Sequence, residues 1–412
     1  MFNIRNGILL GLMTISKMVS ALLIGKVLAI YHGAIGIGFA GQIQGIAGLT
    51  SGLLSAPLGN GLVKSIAQHE KNESNETVLI YWVNSVFTSI LIGILISIFL
   101  FAIIIKKPFS SLPLALLLTA FSISPFQTIC TAFQSILNGL GKIKELSLLG
   151  ILSIIISTIT SIIAIIKLNL VSGLIVSSMS IIFQSIIFIL FFKSSHWISS
   201  LFNKKLLKNI QISSDVLIFS AMAIVSALVV PGSQIYIRSF LANIYGWEFT
   251  GYWQAAQRLS DAHLTLLGSI TSTQLLPIFY KSKIELHKKI IIKYMFFCVG
   301  ILLPGAIILY IFKNNIIKLL FSQSLLISAQ IVIYQIIGDS FRAMSWPASY
   351  SLIAQKKLFV FSASEIVFSA SWIGSIIFLS NQFGWHAASI GYLFASLSNL
   401  IFLSSYTFLK KN

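Results

Sequence analysis

Apolar residues run along this chain in long blocks, broken by short polar stretches, and neither the two-residue period of a strand nor a simple amphipathic face organises them. The blocks predict helices at about Ile8–Tyr31, from the turn after Gly33 to near Lys64, Val78–Ile105, Leu112–Leu140, Leu146–Ile166 and Leu170–Phe192. A basic connector, Lys193–Ile212, follows. The second series is Val216–Leu241, Thr250–Leu276, Ile290–Phe312, Leu325–Ala354, Leu358–Leu379 and Trp385–Leu409. Each is close to or longer than the ~20 residues needed to cross about 30 Å of hydrocarbon. The pattern therefore predicts an all-α integral membrane protein of about twelve transmembrane helices. The first block carries Lys17 and Lys26 and is followed by further spans, so it is read as a helix of the mature protein and not as a cleaved leader.

One block departs from the rest. Between Gly251 and His263, at 100° per residue, Gln254, Gln257, Arg258, Asp261 and Thr265 fall on one narrow helical face. An ionisable group inside a membrane span costs roughly 2.5–3.5 kcal/mol on insertion scales unless it meets protein or water. Something polar has to face this stripe.

Composition agrees with the membrane reading. Of 412 residues 56% are hydrophobic and only 9% charged, where a soluble domain carries about 25% charged residues. The net charge of +18 does not indicate nucleic acid, because the basic residues sit in short gaps between apolar runs without a basic stripe or nucleic-acid motif. They read instead as topology. Eighteen lysines and arginines occupy the N-terminus, every second loop and the C-terminus, against five (Lys106, Lys107, Lys167, Lys313, Lys318) in the alternate loops. The positive-inside rule then places both termini in the cytoplasm. Cys130 and Cys298 lie in apolar segments and form neither a disulfide framework nor a metal-binding spacing. No cofactor and no metal site is expected.

The chain divides into two halves, 1–200 and 201–412, each of six helices. Leu28-Ala29, Gly33, Gly38 and Gln44 recur as Leu241-Ala242, Gly246, Gly251 and Gln257 at a constant offset of 213. Six helices per half is an even number, so the halves share orientation and are expected to be related by an axis along the membrane normal, with a substrate path between them.

Five basic residues remain after the loops are assigned: Lys17, Lys26, Arg238, Arg258 and Arg342. Lys26 and Arg238 lie near helix ends, from where they could snorkel to the interface. Asp339 and Arg342 are three apart, with Gln335, Trp346 and Ser349 on the same side, which repeats the spacing of Arg258 and Asp261. For each pair the plain reading is an intrahelical ion pair; the functional reading is a site. Glu365 has no partner within one turn; two readings stand, a proton site if burial raises its pKa, or a carboxylate that simply lies shallow in the membrane. His263 and His386 are single histidines among apolar residues and read as core. Pro57, Pro125, Pro231, Pro304 and Pro347 fall within the spans and permit bending.

Several stretches carry a resemblance: Lys17 with Leu22–Ala29, Asn60–Gln68, Trp253-Gln254 with Ser260-Asp261-Ala262, Leu275-Leu276-Pro277, and Gly338-Asp339. Together they resemble the Wzx-type polysaccharide flippases, among them those of enterobacterial common antigen and O-antigen, in the multidrug/oligosaccharidyl-lipid/polysaccharide exporter superfamily. The resemblance implies two six-helix bundles forming a V around a central cationic cavity. It also implies passage of undecaprenyl-diphosphate-linked oligosaccharide from the cytoplasmic to the periplasmic leaflet of the bacterial inner membrane; alternating access with proton antiport is the mechanism hypothesised for it, although coupling ions differ within the superfamily. A diphosphate calls for fixed positive charge, which arginine's planar fork and lysine's point charge supply. The candidate substrate-binding residues are Lys17, Lys26, Lys64, Gln254, Gln257, Arg258 and Arg342, and the candidate proton carriers are Asp261, Asp339 and Glu365. The family pattern often has a small polar residue where this chain has Arg258, and lysine where it has Arg342, so Arg258 is expected to tune substrate choice. The implied partners are the lipid-linked oligosaccharide, membrane lipid, and the polymerase and chain-length regulator of the same pathway, with no nucleic acid.

Two other readings follow from the same residues. A cation-coupled drug exporter of the same superfamily would favour acidic cavity walls, whereas basic residues outnumber acidic ones within these spans. A membrane enzyme of glycan assembly would carry catalytic groups in a large outward loop, and the outward loops here are short and hold no paired-carboxylate or Ser/His/Asp cluster.

The charge asymmetry is testable directly. A reporter that fluoresces only in the cytoplasm, fused after Asn412, is expected to be bright, and a phosphatase active only in the periplasm is expected to be inactive there. The reverse pattern would overturn the orientation.

Overall fold

A computed structural model describes residues 4–58, 62, 63, 66, 76–105, 112–193, 198 and 214–409. All regular structure among them is helical, and the chain is an all-α integral membrane protein. The helices are α1 (Ile4–Ser55), α2 (Glu76–Ile105), α3 (Leu114–Ser122), α4 (Ser124–Gly139), α5 (Ile143–Lys167), α6 (Leu170–Met179) and α7 (Ile181–Phe192). They continue as α8 (Ser214–Tyr245), α9 (Trp247–Lys281), α10 (Ile284–Ile311), α11 (Lys313–Leu320), α12 (Val332–Ala354), α13 (Leu358–Phe383) and α14 (Ala387–Leu409). Seven helical stretches among the described residues are long and apolar enough to cross a membrane on their own, and α9, which carries the polar stripe, is not one of them.

Every predicted span falls on helix, with local corrections. The second span is the arm of α1 after Gly33; the α-helix ends at Ser55, and Pro57 sits in a following 3-10 turn, Ala56–Leu58. Its expected continuation to Lys64 lies outside the described residues, as does most of the basic connector. The fourth span breaks at Ile123 into α3 and α4, with Pro125 in the first turn of α4, where its missing N–H costs nothing. The sixth breaks at Ser180. Of the five prolines expected within spans, Pro231, Pro304 and Pro347 are interior to helices. The tenth span is also shorter than expected: Gln323–Gln330 is 3-10 helix, bent by 57° from α12.

By its internal contacts the chain forms two compact units, Met1–Val27 with Ile43–Leu228, and Leu28–Gln42 with Val229–Asn412. In the first, α5 shows how a lipid-facing helix is written. Leu148, Leu152, Ile155, Ile159 and Ile163 are exposed on one side, while Ser147, Gly150, Ser153, Thr158 and Ser161 are buried on the other. Small polar residues face protein because they allow close approach and hydrogen bonding, and lipid takes the large apolar ones. The Ser20 and Thr158 hydroxyls meet at 2.5 Å across α1 and α5. The rings of Phe133 and Phe192 stack at 4.6 Å between α4 and α7.

The second unit contains the 213-residue repeat from Leu28 to Gly38 and from Leu241 to Gly251. Gly33 (φ 62°, ψ −156°) breaks α1 into two arms, and Gly246 (φ 89°, ψ 167°) separates α8 from α9. Both backbones occupy a region essentially restricted to glycine. Beyond these turns the helices cross closely. A β-carbon on Gly38 would lie 3.1 Å from the Trp247 carbonyl oxygen, and one on Gly251 would overlap the Ala34 carbonyl. Ala34 and Trp247 are themselves 213 apart, so the two contacts exchange under the repeat.

The obstacle at Gly251 is backbone and cannot swing aside. Gly251→Ala is expected to destabilise the detergent-solubilised protein by about 2 kcal/mol or more, read as a fall in thermal unfolding temperature. A change at Gly300, whose β-carbon would meet open space, is expected to cost under about 1 kcal/mol and serves as the control.

Candidate functional site

The polar stripe of α9 meets its partners inside the second unit. Gln254 and Gln257 are buried, Arg258 is half-buried, and Asp261 and Thr265 are exposed, so the stripe runs from the core outward along the helix. The Gln257 amide donates to Asp261 Oδ1 at 2.9 Å, and the Gln335 amide of α12 donates to Gln257 Oε1 at 3.0 Å.

Asp339 on α12 is 1% exposed and is held from two other helices. The Ser260 hydroxyl of α9 donates to its Oδ1 at 2.5 Å and the Tyr392 hydroxyl of α14 donates to the same oxygen at 3.0 Å. His263 Nδ1 lies 3.3 Å from Oδ2, and its Nε2 lies 3.2 Å from the Leu302 carbonyl of α10. Each ring nitrogen faces an oxygen, one of the Asp339 carboxylate and one of the Leu302 carbonyl. His263 is thus part of a charged network and not the passive core residue its surroundings in the sequence suggest.

Arg342, one turn on from Asp339, points elsewhere. Its Nη2 lies 3.2 Å from Glu365 Oε2 on α13, and its guanidinium carbon sits 4.1 Å above the Phe368 ring. The expectation that Asp339 and Arg342 screen each other within one helix is therefore incorrect. Each finds a partner on another helix, Asp339 on α9 and α14 and Arg342 on α13. Glu365, without a partner on its own helix, obtains one across the turn that joins α12 to α13.

Arg238 corrects a second expectation. It does not snorkel; it is 4% exposed, and its Nε donates to Gln254 Oε1 at 2.7 Å, with the guanidinium carbon 5.7 Å from the Trp253 ring. Its Nη1 is buried without a hydrogen-bond partner. Arg238 and Arg258 are within electrostatic reach of Asp261 and of each other. The signal for Arg238 was available in the sequence: residues 238 and 254 lie eight positions either side of Gly246, so a helical hairpin brings them level.

The remaining candidates are not gathered here. Lys17, exposed, and Lys26, half-buried, belong to the first unit. Lys64 lies outside the described residues. His386 Nε2 is 3.0 Å from Gln330 Oε1, away from this network.

Chemically, the second unit holds Arg238, Arg258 and Arg342 together with Asp261, Asp339 and Glu365, on helices α8, α9, α12 and α13. Two of those arginines are tied to a partner that a ligand oxygen could replace. Such an arrangement can bind an anion and can exchange protons; it offers no activated nucleophile.

Comparison with known proteins places this geometry in context. The family described as "Polysaccharide biosynthesis protein" matches residues 4–283. The lipid III flippase of Escherichia coli (strain K12) is 24% identical over 371 residues, covering 86% of this chain and 85% of the relative, and the lipid III flippase of Shigella flexneri matches to the same extent. Among solved structures, the lipid II flippase MurJ in an inward closed conformation superposes with a TM-score of 0.67 at 18% identity, covering 98% of this chain and 87% of that one. An inward-facing multidrug resistance MATE family transporter of the MOP superfamily superposes at 0.66 with 15% identity, covering 96% of this chain and 97% of that one. At these identities the structural likeness shows a shared fold.

The Arg342–Glu365 pair is open to a mutant cycle. Arg342→Met alone, which leaves the buried Glu365 carboxylate without its partner, is expected to cost about 3 kcal/mol or more, and adding Glu365→Gln is expected to recover a large part of it. Additive losses in thermal stability would show that the pair is not coupled.

Proposed function

Because the chain belongs to the polysaccharide biosynthesis protein family, we propose that it is a flippase for lipid-linked oligosaccharide in the bacterial inner membrane. Its cargo in this reading is undecaprenyl-diphosphate-linked oligosaccharide of the O-antigen type, moved from the cytoplasmic to the periplasmic leaflet by alternating access between two six-helix halves, 1–200 and 201–412. The observation that carries the reading is the group of intramembrane arginines, Arg238, Arg258 and Arg342, held among buried amides and aromatic rings. Relatives named as lipid III flippases support the class of cargo.

Arg258 and Arg342, with Lys17, Lys26 and Lys64, hold the diphosphate, and Arg238 joins them. Gln254 and Gln257 bond sugar hydroxyls. Both amides and Arg342 are engaged with protein in this state, so substrate oxygens exchange with existing partners and do not enter an empty site. That exchange lowers the desolvation cost of a buried cation in the unloaded protein. Asp261, Asp339 and Glu365 take and release protons during turnover; protonating Glu365 removes its hold on Arg342 and so links proton to diphosphate. The fold shared with MATE family transporters supports a second reading, a cation-coupled drug exporter. The excess of basic over acidic groups in the spans weighs against it.

The test uses proteoliposomes holding undecaprenyl-diphosphate oligosaccharide, with movement followed by exposure of the glycan to an outside lectin. Arg342→Ala and Lys26→Ala are each expected to slow flipping at least tenfold, a loss of about 1.4 kcal/mol or more. Wild-type rates in both would remove the diphosphate roles. An imposed pH gradient is expected to change the wild-type rate, and indifference to it would remove proton coupling. Efflux of cationic dyes without glycan movement would select the drug exporter.

A further inference from the structure

The first unit contains a cavity of about 660 Å³ between the second arm of α1, α2 and the α3–α4 span. Its wall is formed mainly by Leu54, Leu58, Trp82, Val86, Phe121 and Phe133. The arginine network belongs to the second unit and shares no residue with this cavity.

The chemistry of the wall defines what can fill it. Four hydroxyl residues reach it, and each is already bonded to protein. Ser89 donates to the Leu54 carbonyl at 2.6 Å, Thr128 to the Ser124 carbonyl at 2.9 Å, and Thr50 to the Ile46 carbonyl at 2.9 Å, while Ser124 pairs with the Thr50 hydroxyl. A water needs two to four polar partners to stay in a buried site, and this wall, its hydroxyl protons already committed, offers only a few hydroxyl lone pairs in an otherwise apolar lining. A charged or polar headgroup would be desolvated there without compensation. Its size is that of ligand sites, about 300–1,000 Å³, and far exceeds the gaps a close-packed interior tolerates.

Its rim shows the source of an occupant. Ile90 and Ile94 of α2 line the cavity yet are 55% and 53% exposed, and Phe87 and Leu91 continue the same exposed apolar face. In a membrane-spanning helix such a face meets lipid. Bilayer hydrocarbon is thus next to the opening.

We propose that this cavity is a lipid site in which one acyl chain of a membrane phospholipid enters past Ile90 and Ile94 and packs against Trp82, Phe121 and Phe133. The headgroup stays outside, at the level of the bilayer, because nothing within receives it. The chain completes the core of the first unit between α1, α2 and α4.

The full-length protein, reconstituted in vesicles of phosphatidylethanolamine and phosphatidylglycerol bearing a photoreactive diazirine on one acyl chain, tests this. After irradiation and digestion, adducts are expected on Trp82 and Phe133, which are only 3% and 6% exposed, as well as on the lipid-facing Ile155 and Ile159. Ala132→Phe, which fills the cavity from α4, is expected to reduce the adducts at Trp82 and Phe133 at least about fivefold while leaving those at Ile155 and Ile159 unchanged. Val86→Phe does the same from α2, should the first variant fail to fold. Labelling of Ile155 and Ile159 with none at Trp82 and Phe133 in the wild-type protein would overturn the proposal, as would labelling that filling leaves intact. Loss of the buried adducts on adding undecaprenyl phosphate at equal mole fraction would overturn the acyl assignment and give the cavity to a prenyl chain. This outcome is independent of the flipping assay, so either proposal can fail alone.

Discussion

Hydrocarbon offers a polar side chain no hydrogen bonds, so every carboxylate and guanidinium in the bundle has to be answered by protein. Asp339 shows what this demands. Its two oxygens are met by Ser260 and His263 from α9 and by Tyr392 from α14. A shift of either helix by one residue would turn those donors away and leave a buried charge unpaired, at a cost of several kcal/mol. The carboxylate therefore sets the register of α9, α12 and α14, and the lipid-facing surface of each helix follows from it.

The arginines obey the same constraint with a different outcome. Arg238 is tied through one nitrogen to Gln254, and Arg342 through one to Glu365. A guanidinium has five N–H donors, so these single bonds orient the groups without exhausting them. The aromatic rings of Trp253 and Phe368 supply part of the remainder through their faces. Each cation is thus stabilised inside the membrane while keeping N–H donors in reserve.

Close packing governs the other end of the second unit. At Gly38 and Gly251 two helices pass with backbone against backbone, and each contact is the repeat of the other. An internal duplication places the same requirement at both positions. A glycine is the residue that meets it, because any β-carbon would enter the facing peptide. The first unit, by contrast, is assembled from serine and threonine contacts and stacked rings, and it retains a space that its own side chains do not fill.

The apolar blocks alone determined the helical class, the position of each span and the glycine turns, because span length is imposed by bilayer thickness and φ > 0 is open mainly to glycine. The offset of 213 likewise marks Gly33 and Gly246 as equivalent turns. Periodicity also found the stripe from Gln254 to Thr265, since the 3.6-residue period is a local property. Partners were another matter. Asp339 and Arg342 looked like a pair by spacing, yet the choice between an intrahelical partner and a distant one depends on which helices pack alongside. Ser260 and Asp339, or Arg342 and Glu365, become neighbours only when helices remote in sequence come together. That is a long-range outcome of burying small residues and satisfying charges at once, and no local pattern encodes it.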